Sequence, residues 1–253
     1  MGSVVDEERG AATLLTLLQL VDSAFPVGGF SHSNGLEASI QLGLVPSGKQ
    51  TAPPPSPSPP PTPLHSFLLQ SVSNVASLHL PFVREAYRCG HTMASLCVLE
   101  AEWKACSHNH VASRASVKQG RGLIGSVVAA FGDASCSGVS LSGLDAAVAT
   151  GQLDGHFPIL WGAVCRALGV PLTDTMESYL FASSRTALSA AVREGSLTGP
   201  LNAQRLQAAL RDPIRQAVRM SEGIAVCQAH CVYPLVEYCQ ASHDSLFAKM
   251  FYS

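Results

Sequence analysis

Charge is what this chain has least of. Only 13% of its 253 residues are Asp, Glu, Lys or Arg, where soluble chains average about 25%, and mean hydropathy is positive at +0.21. So little polar surface predicts an apolar face that a partner covers. Lysine is the scarcest cation, four residues against twelve arginines. Guanidinium groups suit bidentate and stacked contacts in protein interfaces. No basic patch carries interleaved aromatic residues, which excludes a nucleic-acid-binding surface. The net charge of -2 steers nothing strongly.

Long apolar runs are missing too. The longest, Leu123 to Phe131, is about half of the ~20 residues that a membrane-spanning helix needs, so no span is expected. Asp6, Glu7 and Glu8 precede the first apolar stretch, the wrong sign for a signal or transit peptide. Gly2 follows Met1, but Asp6 stands where N-myristoylation requires Ser or Thr. The expected compartment is the cytoplasm. Among eight cysteines there is no Cys-x-x-Cys pair, which fits reduced thiols filling core and surface positions. Strand-like alternation of useful length is absent as well. The fold class expected is all-α, a single globular, bundle-like domain of about eight to ten helices over residues 13–240. A flexible N-terminus (1–12), a disordered proline-rich insertion (46–63) and a tail (241–253) complete the expected organisation.

What is present centres on residues 14–43. Leu14, Leu15, Leu17, Leu18, Leu20 and Val21 form an apolar stripe at helical spacing, ended by Asp22, Ser23 and Pro26. Gly28 and Gly29 then permit a tight turn between Phe25 and Phe30. Ser31, Ser33 or Asn34 can cap the next helix, with Glu37 at capping-box spacing from Asn34 and Gly43 as the C-terminal stop. On physics alone this is a helical hairpin with Phe25 and Phe30 in the core. His32 is the histidine to watch, since turn residues are exposed and rigidly held.

Further along, eight prolines lie between Pro53 and Pro63, which reads as an exposed polyproline-like insertion between helices. Helical periodicity returns at 64–75, 81–87, 92–106, 111–131, 157–168, 174–192, 201–210 and 214–229, with residues 132–143 as a loop and Pro213 breaking or restarting the chain. Gly120, Gly122 and Gly125 inside the 111–131 helix cost about 1 kcal/mol each relative to Ala, so close helix approach is expected there.

Three stretches come close to known chemical motifs. Gly43 to Gln50 nearly matches the phosphate-binding loop pattern but lacks the hydroxyl residue and the preceding strand, which excludes nucleotide binding. Gly29 to Ser33 is one residue from a nucleophile elbow, making Ser31 a candidate hydrolase nucleophile; the elbow needs a strand before it, and helix capping is the stronger reading. Cys227, His230 and Cys231 lie within about one helical turn and could hold a metal, though a fourth ligand is wanting and core packing is favoured. His108 and His110 read as surface or partner residues.

Leu18-Gln19-Leu20, Phe25-Pro26-Val27-Gly28-Gly29-Phe30-Ser31-His32-Ser33 and Gly35-Leu36-Glu37 resemble the N-terminal signature of UreF, the urease accessory family, in its plant or eukaryotic form. Asn109-His110-Val111, Arg114-Ala115-Ser116 and Gln119-Gly120 resemble its central helix. His156-Phe157-Pro158, Tyr179-Leu180-Phe181, Arg185, Ser189-Ala190-Ala191, Arg193, Gly199-Pro200-Leu201 and the tail with His243, Leu246-Phe247 and Lys249-Met250-Phe251 follow in the family's order.

The resemblance implies an all-helical, non-enzymatic assembly factor without a cofactor. It would bind a UreD/UreH-type scaffold, dimerise within that complex, recruit and regulate the UreG-type GTPase, and so serve nickel insertion into apo-urease. It implies that Phe30, Ser31, His32, Glu37 and Arg193 face the GTPase. Lys249, Met250, Phe251 and Ser253 would dock on the scaffold or order the recruitment surface. Lys249 replaces the family's common Arg, so a bidentate contact is not expected there. The alternatives are a serine hydrolase using Ser31 and a generic helical interaction module. Ser31→Ala separates the first: it abolishes an intrinsic hydrolytic reaction of the purified chain only if the chain is a hydrolase.

Overall fold

The computed structural model describes residues 13–48, 62–89, 92–133 and 140–253. The expected flexible N-terminus, most of the proline-rich insertion and the middle of the 132–143 loop lie outside the described residues.

Every regular element among the described residues is helical, as the all-α expectation requires. A helix over residues 13–20 (α1) is followed by α2 (Leu36–Gln41), α3 (Pro63–Leu78), α4 (Leu80–Cys89), α5 (Met93–Cys106) and α6 (His110–Phe131). Then come α7 (Leu141–Ala149), α8 (Phe157–Ala167), α9 (Leu172–Arg193), α10 (Pro200–Ala209), α11 (Arg211–Ser221) and α12 (Pro234–Ala241). None is long and apolar enough to cross a membrane.

Prolines set many of the starts, because a missing N–H is harmless in the first turn. Pro63 opens α3, and the Thr62 hydroxyl accepts from the His65 N–H at 3.2 Å. The helix thus claims the last proline assigned to the insertion. Pro213 lies third in α11 and restarts the helix there. That helix ends at Ser221, short of the expected Ala229, and only the 3-10 turn Val226–Gln228 follows before α12. The loop after α6 closes earlier than its composition suggests, because Ser140 caps α7 by accepting from the Gly143 N–H at 3.1 Å.

The chain clusters into two compact units. The first comprises the residues up to Gly28, Phe82–Ala105 and Ser116–Tyr179. Its core includes Phe82 set edge-on to Trp103 with ring centroids 5.0 Å apart, and Trp161, whose indole N–H donates to the Thr175 carbonyl at 3.0 Å. Glu100 is buried there, and its carboxylate accepts from the N–H groups of Asp154, Gly155 and His156 at 2.6, 2.8 and 3.0 Å. Charge-assisted bonds to three backbone donors offset the loss of water around the anion and anchor the entry to α8. The α6 glycines divide by environment. A Cβ at Gly120 would lie 1.9 Å from the Gly155 carbonyl oxygen and one at Gly122 2.9 Å from that of Val27, whereas one at Gly125 meets nothing within 4 Å. Close approach therefore accounts for the first two glycines and not for the third.

The second unit comprises Gly29–Pro81, Cys106–Ala115 and Leu180–Ser253. Here α11 packs on α3, and α12 packs on α2 and α3. Asn74 on α3 holds the segment before α12: its side-chain oxygen accepts from the N–H groups of Val232 and Tyr233, and its NH2 donates to the Tyr233 carbonyl at 2.9 Å.

Gly120→Ala is expected to destabilise the chain by about 1–3 kcal/mol through overpacking, and Gly125→Ala to stabilise it by roughly 0.5–1 kcal/mol. Urea denaturation of the two variants reads both signs.

Candidate functional site

The residues nominated from sequence converge in the second unit, around the glycine turn. Gly28 has φ +84°, and Gly29–Ser31 form one 3-10 turn. Asn34 (φ 53°) and Gly35 (φ 83°) are both left-handed, so α2 starts from Gly35 with no side-chain cap. This overturns the expected capping by Ser31, Ser33 or Asn34: consecutive left-handed residues turn the Asn34 side chain away from the helix, and it donates to the Ser183 carbonyl instead. Gly35 is required twice over, since a Cβ there would also lie 3.0 Å from the Gln240 backbone nitrogen of α12. Gly43 ends the segment as expected, with φ +75° and its N–H on the Ile40 carbonyl.

Freed from capping, Glu37 receives the tail. Its carboxylate accepts from the Met250 N–H at 2.5 Å and the Phe251 N–H at 3.2 Å, and pairs with His243 Nε2 at 3.0 Å. Further bonds extend this seat. The Ser253 carbonyl accepts from the Ser33 N–H at 2.6 Å and the Ser33 hydroxyl at 3.0 Å, the Tyr252 N–H donates to the Ser31 carbonyl at 2.8 Å, and Gln41 Nε2 donates to the Ala248 carbonyl at 2.8 Å. His32 Nδ1 and the Ser253 hydroxyl lie 2.5 Å apart.

Arg193, the last residue of α9, is held above this seat. Its guanidinium carbon is 3.7 Å from the Phe30 ring centroid and 4.5 Å from that of Phe251, and Nε donates to the Ser189 carbonyl at 3.3 Å. Cation–π attraction to two rings holds the group. Desolvation lowers its pKa from the ordinary value. Phe30 is 66% exposed and Phe251 only 6%. One ring is therefore presented to solvent and the other is a buried support.

Burial sorts the expected residues. Phe30 leaves the core assigned to it by hydrophobicity, because the turn points it outward over Arg193. His32, expected to be exposed, is fully buried beside Ser253, and Glu37 is 6% exposed; neither can touch a partner directly in this arrangement. Ser253 is buried with them, whereas Lys249 and Met250 remain exposed. Lys249 Nζ donates to the Asp244 carbonyl at 2.8 Å, a single contact.

Contacts that the sequence does not reveal complete the clasp. Arg114 Nη2 donates to both carboxylate oxygens of Asp244, at 2.8 and 2.9 Å, His110 Nε2 lies 3.1 Å from the same carboxylate, and the Asn109 amide donates to Glu237. Arg114 depresses the Asp244 pKa as the leading cause, followed in effect by His110. Asn109, His110 and Arg114 were visible as a motif, but nothing in the sequence paired them with Asp244.

The cysteine and histidine cluster does not gather. Cys227 and His230 are exposed and sit outside any α-helix, contrary to the expected helical, core-packed reading. No group of three metal-ligating side chains exists among the described residues. Cys165 is buried, which pushes its thiol up to about 12, so it is an inert core group.

The family model for UreF matches residues 61–211. Urease accessory protein F of Arabidopsis thaliana is 31% identical over 239 residues, covering 93% of this chain and 90% of that one. The chain belongs to the UreF family of urease accessory proteins. Urease accessory protein F of Oryza sativa subsp. japonica is 30% identical, covering 92% of this chain and 82% of its own. Urease accessory protein UreF of Paenarthrobacter aurescens is also 30% identical, with 94% and 97% covered. The family model spans Arg193 and α6 but includes neither the glycine turn nor the tail.

Glu37→Ala leaves two backbone donors and His243 without their acceptor. Unsatisfied groups cost about 1–3 kcal/mol each, so residues 246–253 are expected to become protease-sensitive well before the helices do. Mass spectrometry of a limited digest checks this.

Proposed function

We propose that this UreF-family chain is a non-enzymatic assembly factor that joins a UreD/UreH-type scaffold and recruits the UreG-type GTPase, so that nickel enters apo-urease. The observation that carries the reading is the exposed Phe30 ring stacked on Arg193, with Phe251 and the tail locked beneath. An exposed aromatic on an arginine, rigidly supported, has the composition of a binding hot spot. Phe30 and Arg193 form the recruitment face, while Glu37, His32, Phe251 and Ser253 act by ordering it. Lys249 and Met250 remain available for the scaffold. Dimerisation within the complex and a cytoplasmic site of action belong to the same reading.

The hydrolase alternative gains little from the geometry. The Ser31 hydroxyl bonds to no imidazole or carboxylate among the described residues, and the neighbouring His32 is turned to Ser253. A nucleophile without a positioned base is weak.

Phe30→Ala is the direct test. Since the ring is mostly exposed, stability is expected to change by less than about 1 kcal/mol, yet urease activation in a reconstituted system should be lost. A variant that melts early, or that activates urease normally, would count against the recruitment face.

A further inference from the structure

The recruitment face contains a cation without an anion. Arg193 spends one donor on the Ser189 carbonyl, and its Nη2 is buried with no hydrogen-bond partner. No carboxylate pairs with it among the described residues, although two lie close in sequence or space. Glu37 is committed to His243 and two tail amides, and Glu194, the next residue along, is committed to the Ser196 N–H and hydroxyl. The two phenyl rings supply attraction but no lone pairs. A half-buried guanidinium that no carboxylate among the described residues neutralises, beside an exposed ring, is half of an ion pair.

We propose that Arg193 is the receptor for an Asp or Glu side chain of the recruited partner, which slots against the exposed ring of Phe30 and neutralises the guanidinium. This rests on the recruitment reading and names the chemistry of the contact. A carboxylate suits the site better than a phosphate: a single guanidinium matches a single negative charge, and among the described residues Arg193 is the one cation stacked on the Phe30 and Phe251 rings. The flanking phenyl keeps water from the pair, which strengthens it relative to an exposed ion pair.

The test uses the full chain with its scaffold and GTPase partners, followed by co-elution and by titration of the GTPase at several salt concentrations. Scaffold retention and melting temperature report that each variant is folded. Arg193→Glu is expected to lose the GTPase by at least tenfold in affinity while keeping the scaffold. One Asp→Arg or Glu→Arg substitution in the GTPase should restore binding to Arg193→Glu and weaken binding to the unmodified chain. If Arg193→Glu disturbs the tail, Arg193→Gln reads the same point: its binding should be weaker and its salt dependence shallower.

GTPase binding by Arg193→Gln with unchanged affinity and salt slope overturns the carboxylate contact and leaves recruitment standing. So does failure of every acid-to-Arg exchange to rescue. An unmodified chain that holds the scaffold but never the GTPase overturns recruitment and this contact together.

Discussion

The carboxylate of Glu37 is the point on which the site depends. One buried anion accepts two consecutive backbone N–H groups from the tail and pairs with His243, and those three bonds position Phe251 under Arg193. Isolated, a buried carboxylate is costly; saturated with donors, it becomes a rigid junction. The chain meets this requirement by bringing residues 37, 243 and 250–251 together. The left-handed Asn34 and Gly35 set the direction of α2, and Gly35 lets α12 approach.

The site is thereby layered. Beneath are buried groups bonded to one another, such as His32 with Ser253 and Ser33 with the Ser253 carbonyl. Above them Arg193 contacts one buried and one exposed ring. The exposed layer is small, which suits a chain with few charges and a fixed contact: hot spots are few residues on a well-supported base. Holding the base rigid reduces what binding must spend on ordering.

Much of this was legible in the sequence, and the limits have physical causes. Helices were readable because apolar periodicity is local; the all-α class and the close-packed Gly120 and Gly122 follow from it. Phe30 was readable as a core residue and is not one, because hydrophobicity does not reveal which way a glycine turn points its neighbour. Glu37 presented the spacing of a capping box, yet its partners lie more than 200 residues away. Asp244 carried no signal at all, since its pairing with Arg114 exists only after the chain has folded. Family resemblance nominated Glu37, Arg193 and Phe251, but it could not distinguish a residue that touches a partner from one that supports the toucher.

The span of the Glu37 junction also sets a schedule. Its acceptor is synthesised early and its donors 213 and 214 positions later. At about 5–20 residues per second, translation leaves the carboxylate unanswered for roughly 10 to 40 s. Local helices form within microseconds, so most of the second unit can assemble around a seat that is still empty. Arg193 acquires its second ring only when residue 251 arrives. Closure of the seat thus waits on residues 250 and 251, whose N–H groups reach back to Glu37.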